Sequence, residues 1–132
     1  EDILFDSGKA DVKPSARGKL TEVLGQIRSA YPDREVFVVG HTDTDPIKFS
    51  KWRDNLELSV QRGAAVTREL QKLGMDPARI IAAGAGEFQP RTTNSTKAGK
   101  QANRRVQIVA VRKPAETMAP GTVEETRGSE QG

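Results

Sequence analysis

The chain of 132 residues contains no cysteine, and it has only one histidine, one tryptophan and one tyrosine. The absence of cysteine excludes disulfide bonds and thiolate catalysis, and it fits either the cytosol or an oxidising compartment such as the periplasm. Serine-based nucleophilic catalysis is poorly supported, because His41 is the only histidine that could serve as its base. With so few aromatic side chains to stack on bases, binding to nucleic acid is not expected.

Long apolar runs are missing as well. No segment approaches the ~20 apolar residues of a membrane-spanning helix, and no signal sequence precedes Glu1. Because the chain starts abruptly, we expect a processed product or a domain of a longer protein. Its 35% hydrophobic and 30% charged residues are typical of one ordered globular domain. The net charge of +3 favours an acidic partner only mildly, and it is also compatible with a purely solubilising role.

Helical and strand periodicities alternate along the chain. They predict an α/β fold, a two-layer sandwich of helices over a mixed four-stranded sheet. The domain is expected to span residues 1–113, and residues 114–132, rich in Pro, Ala, Thr, Glu and Gly, are expected to be a disordered tail. The predicted elements are a strand over 2–6, a helix from 14 to about 31, a strand over 35–39 that is buried on both faces and broken by Gly40, a helix over 54–73, a strand over 79–83, a loop or short helix over 90–102 and a strand over 105–111.

Two opposite charges are expected on one rim of this layer. Asp43 follows the second predicted strand, and Arg62 lies near the start of the second long helix. The carboxyl ends of strands are the usual place for ligands in α/β layers. An aspartate can accept hydrogen bonds from an ammonium group, and an arginine can bind a carboxylate with two parallel bonds. The rim could therefore bind a free amino-acid end, although the spacing alone favours a direct Asp43–Arg62 salt bridge.

Other kinds of site are poorly supported. The sequence Gly84-Ala85-Gly86 lacks the third glycine that would open a helix in a dinucleotide-binding loop. His41, Asp43 and Asp45 would spread apart on an extended segment, so no metal site is expected. We predict neither a metal nor a cofactor, and no enzymatic activity.

Two further polar positions border the predicted rim. Asn55 stands at the start of the second long helix, where capping is the default role and ligand binding the alternative. Arg104 and Arg105 precede the last strand and should point to opposite faces, so that one of them faces the rim.

Several separated motifs together resemble one known family. They are GHTD at 40–43, DNLELSVQRG at 54–63 and NRRVQI at 103–108, with ILFDSGKADV near the start and GAGEFQP before the long loop. This set is similar to the OmpA-like C-terminal domain, the peptidoglycan-associating module of Gram-negative envelope proteins, over residues 3–111. The long segment between GHTD and DNLELSVQRG, residues 44–53, looks like that of the MotB-like (flagellar stator) subgroup. Gly63 departs from the family, which usually has alanine there.

The resemblance implies a ligand and its contacts. In this family an aspartate and an arginine clamp the meso-diaminopimelate residue of the peptidoglycan stem peptide, and the matching positions are Asp43 and Arg62. The other positions that the resemblance places at the ligand pocket are Asn55, Arg104, Thr44, Asp45 and, through its backbone, Gly8.

The resemblance also implies a cellular role. We expect a periplasmic, non-enzymatic wall anchor belonging to a larger envelope protein that is attached to a membrane upstream of residue 1, with a homodimer left open. The alternative is a stator-like or transport-complex component that acts mainly through protein–protein contacts, with weak or regulated wall binding.

Overall fold

Helices and strands alternate along the part of the chain that the computed structural model describes, residues 2–48, 50–111 and 121. The order confirms the predicted alternation. In chain order the elements are a short 3₁₀ turn Pro14–Ala16, α1 Arg17–Ala30, β1 Val36–His41, α2 Asn55–Lys72, a second 3₁₀ turn Pro77–Arg79, β2 Ile80–Gly84, α3 Lys97–Asn103 and β3 Arg105–Ala110. The predicted tail, residues 114–132, and the end of the predicted domain near 113 lie outside the described residues except at Gly121.

The sheet has three strands where four were predicted. β1 is central, with β2 parallel on one side and β3 antiparallel on the other. Residues 2–6 form no strand, because local contacts use their backbone: the Lys13 amide donates to the Leu4 carbonyl at 2.8 Å, and Lys13 Nζ donates to the Asp2 carbonyl at 2.9 Å. The Phe5 side chain packs into the core. An apolar run that resembles a strand in sequence is thus an irregular segment that covers the core.

β1 continues through Gly40, which was expected to break it. Gly40 pairs with Gly84 of β2 and Val106 of β3. A Cβ at Gly40 would lie 2.1 Å from the Ser59 carbonyl oxygen, and one at Gly63 would lie 2.3 Å from that of Ala83. The glycines therefore let α2 approach the sheet more closely than any side chain would permit, and this approach fixes the position of α2.

The hydrophobic core lies on one side of the sheet, beneath α1 and α2. Its fully or nearly fully buried members come from all layers: Phe5, Leu20, Leu24, Ile27, Val36, Val38, Val66, Leu70, Met75 and Ile80. On the other side, Phe37 and Val39 are partly exposed, so the prediction that this strand is buried on both faces holds for one face only. None of the described helices combines the length and apolarity needed to cross a membrane.

Candidate functional site

A cleft of about 760 Å³ opens beside the carboxyl end of β1. Its walls are the irregular N-terminal segment, the loop after β1, the first turns of α2 and the residue before β3. The lining is charged but balanced, with four carboxylates and four cations: Asp2, Asp6, Asp43, Asp45, Lys13, Lys48, Arg62 and Arg104. Six of the seven predicted site residues line this cleft; Thr44, which is exposed, does not.

Arg62 is held by the main chain. Its side chain is buried, with 4% of the residue exposed, and its Nε and Nη2 donate to the carbonyl oxygens of Lys9 and Asp6 at 2.8 and 3.2 Å. Its guanidinium carbon lies 4.9 Å from the centre of the Phe5 ring. Burial lowers the pKa of Arg62, and the charge of Arg104 lowers it further, while Asp2 and Asp43 oppose the shift. The guanidinium remains a cation and keeps a fixed orientation towards the cleft.

Asp43 is held mainly by another side chain. It is 6% exposed; its Oδ1 accepts from the Asp45 amide at 2.9 Å, and its Oδ2 accepts from Arg104 Nη1 at 2.6 Å. Arg104 also binds both carboxylate oxygens of Asp2, at 2.9 and 3.2 Å. The hydrogen bonds that Arg104 donates to Asp2, and then the one to Asp43, raise its pKa. The direct Asp43–Arg62 salt bridge that the spacing favoured does not form; the ion-pair partner of Asp43 is Arg104.

Asn55 does not cap α2. The cap is Asp54, whose carboxylate accepts from the Glu57 amide at 2.9 Å. Asn55 is buried, and its Nδ2 donates instead to the carbonyl oxygens of Asp43 and Asp45, at 3.3 and 3.0 Å. The Asn55 side chain therefore fixes the loop that carries Asp43.

The remaining predicted positions have unequal roles in the geometry. Asp45 lines the cleft at its exposed rim, and its carboxylate pairs with Lys100 Nζ at 3.0 Å. Gly8 has a positive φ of 69°, and its carbonyl accepts from Ser50 Oγ and Trp52 Nε1 at 3.2 and 3.1 Å. The long segment after β1 thus folds back onto the N-terminal segment and closes one end of the cleft.

Arg104, which precedes β3, and Arg105, its first residue, point to different places, as predicted. Arg104 faces the cleft, whereas Arg105 donates to the carbonyl oxygens of Asn103 and Gln89, at 3.3 and 3.1 Å. Within the described residues, no group of three or more histidine, aspartate and glutamate side chains is arranged to hold a metal ion.

Comparison with known proteins identifies the family of this chain. Residues 4–104 match the OmpA family. The chain belongs to the OmpA family. Outer membrane porin F of Pseudomonas fluorescens is 39% identical over 107 residues, which are 80% of this chain; the chain spans only 31% of that porin's length.

Two solved structures extend the comparison to the fold. The putative MotB-like protein of Desulfovibrio vulgaris has a TM-score of 0.76 at 28% identity, covering 84% of this chain and 71% of its own. The cell wall anchor of the T6SS of Pseudomonas aeruginosa has a TM-score of 0.73 at 31% identity, covering 80% and 73%. The names of two of these relatives, the outer membrane porin and the cell wall anchor, place those proteins in the cell envelope.

Sequence reasoning missed Asp2 and Phe5 as parts of the site. Asp2 is 102 positions from Arg104, and no local spacing links them. Phe5 was read only as part of a strand, although its ring supports the guanidinium of Arg62. An OmpA-family motif marks the charged residues but not the side chains that hold them.

Proposed function

We propose that this OmpA-family chain binds peptidoglycan non-covalently through the meso-diaminopimelate residue of the stem peptide. It would thereby anchor a larger envelope protein to the cell wall in the periplasm. The observation that carries the proposal is the pair of buried, opposite charges, Asp43 and Arg62, facing one cleft. The relative of known structure that is named a cell wall anchor supports the same role.

The free donors and acceptors of the pair match the ligand. The diaminopimelate side chain ends in an ammonium and a carboxylate on one carbon. A carboxylate has about four acceptor positions, and the contacts of Asp43 with Asp45 and Arg104 use two of them. Arg62 has about five N–H donors, and the two carbonyl oxygens occupy two. Asp43 can therefore receive the ammonium while Arg62 donates to the carboxylate.

Burial and charge balance explain why such a ligand would be retained. Hydrogen bonds between ionised groups are stronger than neutral ones, and more so away from water. Since the lining has equal numbers of acidic and basic side chains, a zwitterion enters without leaving a net charge. A ligand with only a positive charge would leave Arg62 without a carboxylate, and a ligand with only a negative charge would leave Asp43 without an ammonium group.

Other residues support the clamp in this proposal. Arg104 orients the Asp43 carboxylate, Asn55 shapes the loop beneath it, and Gly8 and Asp45 border the ligand. Thr44, which lies outside the cleft, has no contact with ligand in this arrangement.

Two stem tripeptides that differ by one carboxylate test the clamp. The chain is titrated calorimetrically with a tripeptide ending in meso-diaminopimelate and with one ending in lysine, which keeps the ammonium only. We expect binding of the first to be at least about tenfold tighter. In Arg62→Ala this preference should vanish, and in Asp43→Ala both peptides should bind at least about tenfold more weakly.

Lys72→Ala, at the exposed far end of α2, provides the matched control and should retain both affinities. Equal affinity of the unaltered chain for the two peptides would contradict the clamp. So would unchanged binding in both cleft variants.

The alternative function is that of a stator-like or transport-complex component, which would work mainly through protein–protein contacts. The structural similarity to a putative MotB-like protein favours it. Sedimentation with isolated sacculi separates the two functions: a wall anchor is retained with the sacculi, whereas a protein-contact module with weak wall binding stays in the supernatant.

A further inference from the structure

A second hollow, of about 410 Å³, adjoins the cleft, and Gly8 lines both. It lies between the N-terminal segment, the long segment after β1 and the outer side of α2. Its functional side chains are one indole, one amide and three cations: Trp52, Gln61, Lys9, Lys51 and Arg68. We refer to these residues as the Trp52 hollow.

The indole is fixed in place at its edge. Trp52 Nε1 donates to the Gly8 carbonyl at 3.1 Å, and Ser50 Oγ donates to the same oxygen at 3.2 Å. The Trp52 side chain is half-buried, and Lys51 Nζ lies 4.8 Å from the centre of its ring. Because Lys51 is exposed and long, its ammonium can leave the ring when a ligand arrives. The indole is therefore anchored at one edge, and the side chain that covers its face is exposed.

The polar groups around the ring are available for a ligand. Among the described residues, Lys9, Lys51 and Arg68 have no carboxylate within ion-pair distance, and the lining contains one acidic residue, Asp11. The Gln61 amide supplies both donors and an acceptor. A sugar ring presents C–H groups on its face, which pack on an aromatic ring, and hydroxyl groups at its edge, which pair with amide and guanidinium groups. The excess of cations suits acidic substituents on such a sugar.

We infer that the Trp52 hollow is a saccharide subsite that takes the glycan part of the polymer whose stem peptide enters the neighbouring cleft. Trp52 provides the stacking face, and Gln61 and Arg68 bind hydroxyl, amide or carboxylate groups. The inference rests on the proposed function for the identity of the polymer. The shared Gly8 means that one ligand with a sugar and a peptide can occupy both sites.

Trp52 is also the reporter, because it is the only tryptophan in the chain. The whole chain is titrated with a peptide-free disaccharide, N-acetylglucosaminyl-N-acetylmuramic acid, while tryptophan emission is recorded. We expect a saturable change in emission, with an apparent affinity at least about fivefold weaker in a Gln61→Ala, Arg68→Ala double variant. Arg53→Ala removes an equal charge from an exposed neighbour that does not line the hollow, and should bind as the unaltered chain does. Trp52 is left in place, because its indole also supports Gly8.

A second titration separates this inference from the proposed function. The sugar-free stem tripeptide should bind the unaltered chain and the double variant equally, and the disaccharide-linked peptide should bind the unaltered chain more tightly than the tripeptide does. If the disaccharide leaves the emission unchanged and adds nothing to peptide affinity, the saccharide subsite is overturned and peptide binding stands. An equal response in the double variant and the control also overturns it. If the disaccharide binds as expected and the tripeptide does not bind at all, the subsite stands and the diaminopimelate clamp fails.

Discussion

On the helix side of the cleft, Arg62 is held by two main-chain carbonyl groups and the face of Phe5. On the loop side, Asp43 is held by the side chain of Arg104, which is itself bound to Asp2. The helix wall thus depends on backbone geometry, and the loop wall depends on a chain of charges. Hydrogen bonds from a buried guanidinium to carbonyl groups are screened little by salt, whereas partly exposed ion pairs weaken as salt rises. We expect the two walls to respond differently to mutation, salt and pH.

The largest effect should come from moving the helix wall. Gly63→Ala places a methyl group about 2.3 Å from the Ala83 carbonyl oxygen, so α2 must shift away from the sheet. The gain in helix propensity is ~1 kcal/mol, but overpacking against backbone costs more. We expect a net loss of about 2 kcal/mol of unfolding free energy, measured by urea denaturation. The affinity for a diaminopimelate peptide should fall as well, because Arg62 moves with the helix.

A matched glycine tests whether close approach is the cause. Gly25 lies inside α1, and a Cβ there would meet nothing within 4 Å. Gly25→Ala should therefore stabilise the chain, by up to about 1 kcal/mol. Equal stabilisation in Gly63→Ala would show that α2 is not fixed by its contact with the sheet.

The next effect concerns the loop wall. Arg104→Ala leaves the buried Asp43 carboxylate without its cation, and we expect a loss of about 1–2 kcal/mol of unfolding free energy at low salt. Since Arg104 is partly exposed, the difference from the unaltered chain should shrink between about 50 mM and about 1 M NaCl. Arg62→Ala, which removes bonds to carbonyl groups, should show a loss that barely changes over the same range. If both variants have the same salt dependence, the contrast between the walls is wrong.

The sequence predicted the helix wall better than the loop wall, for a physical reason. The 3.6-residue period of α2 and the strand pattern of β1 are local signals, and they placed Arg62 and Asp43 on the same rim. The partner of Asp43 could not be found this way, because Asp2 and Arg104 meet only after the chain has closed over 102 positions. Topology, not periodicity, creates that contact.

Three local predictions were wrong for similar reasons. Asp54 and Asn55 are adjacent, and both residue types are good helix caps; which of them caps α2 depends on where the preceding loop ends. Residues 2–6 have the composition of a strand, but the same apolar side chains also suit a loop that covers a core. Gly40 signals a strand break in sequence, whereas it is a point of close helix–sheet contact in the fold.

The smallest expected effect is a pH dependence on the loop wall, at the end of β1 just before Thr42 and Asp43. Burial lowers the pKa of His41 below its ordinary value of 6.5, the charge of Arg105 lowers it further, and Gln107 partly opposes the shift. Below pH 6.5 the unfolded chain therefore binds more protons than the folded one, so stability falls as pH falls. Between about pH 6.5 and 5.5 the loss must be less than about 1.4 kcal/mol, the limit for one proton over one pH unit.

His41 is the only histidine in the chain, so a single substitution tests this titration. Urea denaturation at about pH 7.5, 6.5 and 5.5 should give falling stability in the unaltered chain and a flatter profile in His41→Gln. The comparison uses the slope of the unfolding free energy against pH. This slope does not depend on any loss of stability that the variant shows equally at every pH. A profile that stays equally steep without His41 would contradict the assignment of this pH dependence to His41.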